Sequence, residues 1–129
     1  MKMQRTSAAI TLIVVSFGIA ASASTAGEAL PQGNAANGKG LYNSCMGCHS
    51  LDENEAGPRH RGVVGRVAAS VPGYAYSAGL KQSGLTWTAA NLDRWLTGPQ
   101  KLVPGAKMFF SVSSAQNRAD IIAYLTLQR

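Results

Sequence analysis

The chain has 129 residues, 46% of them hydrophobic and 14% charged, with 14 glycines, 5 prolines and 2 cysteines. That is the profile of one small folded domain, and it excludes a disordered chain and a multidomain enzyme. Twelve Lys and Arg against six Asp and Glu give a formal charge of +6, with no basic run and no aromatic and basic interleaving of the kind that tracks a nucleic acid.

Lys2 and Arg5 precede an apolar run from Ile10 to Ala21, followed by small residues at Ala21-Ser22-Ala23 and Ser24-Thr25-Ala26. The run is shorter than the roughly 20 apolar residues of a spanning helix. The pattern predicts a secretory signal over 1–26, cleaved after residue 23 or 26, and a working domain over 27–129 exported to the periplasm with no stable membrane insertion. Without Lys2 and Arg5, ten basic side chains face six acidic ones, a net of +4. Such a surface serves solubility and steering toward an acidic protein partner equally well.

The segment from Glu28 to Gly33 is polar and patternless. From Asn34 to Ser44, alanines with Leu41 and Tyr42 recur at helical spacing. Gly38 and Gly40 each cost about 1 kcal/mol relative to Ala, so this helix needs tertiary support, and Gly38 marks a place where another helix crosses closely. Residues 50–79 carry Gly57, Pro58, Gly62, Gly65, Pro72, Gly73 and Gly79 and no alternating apolar pattern. A loop this long in a small domain needs a bound group to wrap around. Thr88 to Leu96 places Leu92, Trp95 and Leu96 on one helical face, with Thr88 as N-cap and Gly98-Pro99 as the stop. Ser113 and Gln116 have capping-box spacing, and Ala115, Ala119, Ile122 and Leu125, widened by Ile121, predict a last helix ending near Leu127. With no half-buried strand pattern, the fold is predicted to be mainly α, with three to five short helices and long loops.

Cys45-Met46-Gly47-Cys48-His49 is a C-x-x-C-H run, in which two thiols add to the vinyl groups of a haem and the adjacent imidazole reaches its iron. Three other readings are weaker. One structural disulfide would close a loop too short to restrict much chain entropy. A thioredoxin-like dithiol needs a βαβ setting that the pattern lacks. A structural zinc site needs four ligands, and Cys45, Cys48, His49 and His60 are not spaced for it. The prediction is one covalently attached haem c per chain, with His49 as the proximal ligand. Met46 is tied inside the attachment loop, so Met108 is the favoured sixth ligand, and His60 its rival. In Pro104-Gly105-Ala106-Lys107-Met108-Phe109-Phe110 the turn delivers the thioether, and the aromatics are expected to close the pocket.

At this point the chain resembles class I cytochrome c over residues 34–127. Besides CMGCH, the resemblance rests on Gly57-Pro58, Gly62, Gly65-Arg66, Pro72-Gly73-Tyr74-Ala75-Tyr76-Ser77, Leu85-Thr86-Trp87, Pro104-Gly105-Ala106-Lys107-Met108 and Ile122-Ala123-Tyr124-Leu125. It implies that the Pro58 carbonyl accepts from His49 Nδ1 and that Arg66, Tyr76 and Trp87 serve a buried haem propionate. It also implies that Gly38 and Tyr42 meet the last helix near Tyr124. Arg59-His60-Arg61 departs from the family pattern, and Trp95 stands where a tyrosine often bonds the methionine sulfur. Lys39, Lys81, Lys101 and Lys107 are candidates for docking redox protein partners.

The implied function is a soluble, monomeric periplasmic electron carrier rather than an enzyme. A cytochrome subunit of a periplasmic oxidoreductase complex is the alternative, and would present an exposed apolar patch. A haem enzyme such as a peroxidase would need a vacant distal site.

Overall fold

The computed structural model describes residues 29–129; the leader predicted over 1–26 lies outside them. Among the described residues there are five α-helices: α1 (Ala35–Leu41), α2 (Ala78–Gln82), α3 (Ala89–Thr97), α4 (Pro99–Leu102) and α5 (Ala115–Thr126). A 3-10 turn, Tyr42–Ser44, extends α1. No strand is formed among these residues, only the isolated bridge between Val67 and Thr86. None of the helices is long and apolar enough to cross a membrane. The mainly helical expectation therefore holds.

The crossing of α1 over α5 organises the fold. A Cβ at Gly38 would collide with the Asp120 carbonyl, so only glycine lets the two backbones approach this closely. Tyr42 then meets Tyr124 with ring centroids 5.2 Å apart, as the resemblance implies. Asn34 caps α1, its side chain accepting from Ala36 N at 2.9 Å and Asn37 N at 3.1 Å. Its own N–H donates to Asp120 Oδ1 at 2.7 Å. Asp120 thus completes from another helix the reciprocal bond that a capping box makes locally, and brings a negative charge to the positive end of α1.

One expectation about a helix end needs correction. The last helix is capped by Ser114, which accepts from Asn117 N at 3.2 Å, rather than by Ser113. Gln116 is freed from a capping role and bridges Gln32 O at 2.9 Å and Asp120 Oδ1 at 2.8 Å. Thr88 does cap α3, accepting from Asn91 N at 3.1 Å. α3 ends at Thr97 with Gly98 as its C-cap, as the Gly98-Pro99 stop predicts, and Pro99 is also the first residue of α4, where a missing N–H loses no helical bond. The short α2 inside the long irregular region was not legible from periodicity. Ser77 caps it and Leu80 buries its inner face.

Elsewhere the loops are tied to this frame. Arg118 on α5 donates to Asp93 Oδ1 on α3 at 2.7 Å and to the carbonyls of Val112 and Ser113. The segment 65–68 pairs with 85–87 through Gly65 N to Trp87 O, Trp87 N to Arg66 O and Ala68 N to Leu85 O. Trp87, Leu92, Trp95, Leu96, Val103, Ile121, Ile122 and Leu125 form one apolar core on which these loops lie.

The hydrogen bonds from Asn34 and Gln116 hold the Asp120 carboxyl below its ordinary value of 3.8. Its contribution to stability is therefore complete above the unfolded-state value and lost as pH falls through the lower folded one. Asp120→Asn is expected to lower stability at neutral pH and to flatten the loss seen in guanidinium unfolding between about pH 5 and about pH 3. An unchanged acid limb in that variant would show that the clamp is not what titrates.

Candidate functional site

The C-x-x-C-H run follows directly from the 3-10 turn. Cys45 N bonds Tyr42 O at 2.8 Å, and the Cys45 carbonyl then accepts from both Cys48 N at 3.1 Å and His49 N at 3.0 Å. One carbonyl therefore winds the five residues into a single turn. Cys45 packs against the apolar core, where burial pushes its thiol pKa up, while Cys48 is exposed.

His49 is fixed on three sides. Its Nδ1 lies 2.7 Å from the Pro58 carbonyl, which can only accept, so the hydrogen sits on Nδ1 and the Nε2 lone pair is left free. Burial holds its pKa below 6.5 against the opposing effect of that bond, so the ring is neutral, the form that ligates metals. A Cβ at Gly57 would overlap the His49 ring. Gly57 N is itself tied to Cys48 O at 2.6 Å, closing the loop back on the motif.

On another face His60 stacks on His49, with centroids 4.0 Å apart and planes 21° from parallel. Tyr42 Oη lies 3.1 Å from His60 Nδ1. Burial raises the phenol to about 12, and burial, reinforced by the neighbouring His49 and Arg66, lowers His60 to about 3. Both groups are therefore neutral, and the hydroxyl and the ring nitrogen share one hydrogen bond. His60 thus lies on the His49 side of the site.

The other half of the site is built on α3, α4 and the loop after them. Met108 packs against the core, and Trp95 Nε1 donates to its Sδ at 3.2 Å. Trp95 in turn meets Trp87 edge-on, centroids 5.2 Å apart. Lys107 Nζ donates to Ala75 O and lies 5.9 Å above the Tyr74 ring, while Tyr74 Oη donates to Ala56 O at 2.7 Å. Of the two aromatics after Met108, Phe109 is 78% exposed and Phe110 46%. The chain leaves the loop toward Val112, whose N–H bonds Leu96 O at 2.7 Å.

Arg66 donates to Arg61 O at 3.0 Å and to Arg59 O at 2.8 Å, and burial lowers its pKa. Tyr76, whose Oη accepts from Val71 N at 3.3 Å, is close enough to offset that effect in part. Trp87 joins the group through its backbone bonds to Arg66 and Gly65. Arg66, Tyr76 and Trp87 thus gather along one edge of the core.

A family model described as cytochrome c matches residues 35–127. The chain is a class I c-type cytochrome. It is 40% identical over 105 residues to cytochrome c2 of Rhodomicrobium vannielii, covering 78% of this chain and 84% of that one. Among solved structures, cytochrome cH from Methylobacterium extorquens is 47% identical with a TM-score of 0.71, covering 73% of this chain and 98% of its own. Ferricytochrome c2 from Rhodopseudomonas palustris is 34% identical with a TM-score of 0.72, covering 74% and 99%.

The residues fit the haem c that this family carries covalently. Two thiols stand on one turn, a neutral imidazole keeps a free Nε2, a thioether is folded against the core, and a half-buried guanidinium suits a carboxylate. Among the described residues, no group of three His, Cys, Asp or Glu side chains converges as an alternative metal site.

The Trp95 indole makes the bond to the methionine sulfur that the resemblance gives to a tyrosine at this position. Two features escaped sequence reasoning. The Tyr42 to His60 pair joins residues 18 positions apart. Gln100 donates to Ala106 O and, at 3.1 Å, to Met108 O, and accepts from Gly105 N at 3.3 Å. Its partners are backbone groups, so no residue pattern announces them.

Replacing both Cys45 and Cys48 by Ala is expected to abolish haem that stays with the polypeptide through acid-acetone extraction. Cys48→Ala alone retains one thioether, and its reduced α band moves to longer wavelength because one vinyl group stays conjugated. Covalent haem in the double variant would count against attachment at this turn.

Proposed function

We propose that this cytochrome is an exported, monomeric one-electron carrier whose haem iron is held by His49 Nε2 and Met108 Sδ. The observation that carries the reading is the Met108 thioether, packed against the core with its sulfur held by Trp95 Nε1 at 3.2 Å. His60 is a poor rival, because a ring stacked on His49 at 4.0 Å shares its side and leaves no room for iron between the two. When bound, haem c supplies one-electron chemistry at its iron. A thioether opposite an imidazole favours the reduced state relative to two imidazoles, and two protein ligands leave no position for a substrate. Arg66, Tyr76 and Trp87 are assigned to a haem propionate, compensating a carboxylate where water is scarce.

Docking is assigned to the surface beside the methionine loop. Lys107 immediately precedes Met108, Lys101 lies on α4 and Phe109 is 78% exposed, which suits a small, positively charged patch with one apolar ring. Such a patch suits a brief encounter with an acidic redox protein. A permanent subunit would call for a larger apolar face. Periplasmic residence rests on the leader read in 1–26.

Met108→His is expected to keep covalent haem and lower the midpoint potential by a fraction of the roughly 0.8 V span that axial ligands command. Met108→Ala should open the iron to added ligands and bring weak peroxidase activity. A redox titration of Met108→Ala that matches the parent protein would exclude this residue as a ligand.

An indole N–H on the sulfur withdraws electron density that the oxidised iron would otherwise receive. Trp95→Phe is therefore expected to lower the midpoint potential by on the order of tens of millivolts, the redox equivalent of about 1 kcal/mol for one net hydrogen bond. Protein-film voltammetry of the two forms checks the sign.

A further inference from the structure

We propose that Gln100 is the positioning residue for the sixth ligand: its carboxamide holds the 105–108 loop and sets how readily the Met108 thioether leaves the iron. This inference rests on the His49 and Met108 ligation proposed above. Gln100 is the second residue of α4, which ends where Val103 N bonds Pro99 O at 2.8 Å. Pro104 and Gly105, the latter at φ +80°, then turn the chain back over the helix. That turn brings three backbone groups to one side chain. Nε2 has two hydrogens, and it donates to the carbonyls of Ala106 and Met108. Oε1 accepts from Gly105 N. Among the described residues, no other side chain bonds the backbone of 105–108.

The chemistry of the position is narrow. Ala106 is 3% exposed, so its surroundings offer little water to replace a lost partner. Glutamate at 100 would keep an acceptor for Gly105 N but would lose both donors and set a negative charge against two carbonyl oxygens. Lysine donates but cannot accept, asparagine is one methylene short, and leucine fills the space while leaving all three backbone groups without their partner. Only a carboxamide of this length serves the three together. Trp95 holds the sulfur itself, whereas Gln100 holds the chain on which the sulfur is carried.

The test uses the ferric holoprotein titrated with imidazole, following loss of the far-red sulfur-to-iron charge-transfer band. Gln100→Glu and Gln100→Leu are each expected to tighten the apparent imidazole affinity about tenfold or more, because displacing Met108 no longer breaks the carboxamide bonds. Asp120→Asn, which weakens the α1 and α5 crossing, serves as the control for general destabilisation and is expected to leave the affinity unchanged. If both Gln100 variants bind imidazole within about twofold of the parent, which itself shows the band, the inference falls and the ligation reading stands. An equal shift in Asp120→Asn would also overturn it, by tracing the effect to general stability. A parent protein with no such band would sink the ligation reading and this inference with it.

Discussion

The hydrogen bond from His49 Nδ1 to the Pro58 carbonyl is the constraint on which the site depends. A carbonyl cannot donate, so this bond fixes the tautomer, and with it the one nitrogen that can face a metal. It also demands that residues 57 and 58 return to the attachment turn, which is why Gly57 must lack a side chain and why its N–H closes on Cys48 O. The loop beyond then takes its course from that return. Arg61 N and His60 N bond the carbonyls of Leu51 and Ser50, placing the His60 ring on the His49 ring. Local turn geometry and the orientation of the imidazole are thus one structural fact.

A domain of about a hundred residues buries too little surface to fix long loops by itself. Here the helices supply the frame, through the contact that Gly38 permits and the bonds that Asp120 and Arg118 make between elements. The irregular chain is held by backbone pairing of 65–68 with 85–87 and by side chains that bond to carbonyls, among them Tyr74, Arg66 and Lys107. A covalently attached haem adds the apolar surface that so few helices cannot provide, which accounts for a chain rich in glycine and poor in regular structure.

Sequence revealed what depends on spacing and on residue type. Cys45, Cys48 and His49 are contiguous chemistry, the α3 cap follows from Thr88, and Gly38 reads as a crossing because glycine inside a helix needs a reason. It misplaced the α5 cap because Ser113 and Ser114 both stand before the apolar stripe, and Gln116 could serve either a local cap or the long-range contact with Asp120 that it makes. It found the stop at Gly98-Pro99 but not that Pro99 also opens α4, because proline is equally at home just outside one helix and first in the next.

The two halves of the site are held by different kinds of bond, and this sets which half can yield. His49 belongs to a turn closed by backbone hydrogen bonds at the Cys45 carbonyl and anchored by two cysteines, so moving it means unwinding the turn. Met108 belongs to a loop whose own backbone has few internal bonds, and it depends on side chains reaching from elsewhere: the Trp95 indole on its sulfur, the Gln100 carboxamide on its carbonyl, and the lysine beside it on Ala75 O. Side-chain bonds break one at a time, whereas a backbone turn opens as a unit. In the proposed carrier, ligand exchange therefore belongs to the methionine side, and the proximal side stays fixed through it.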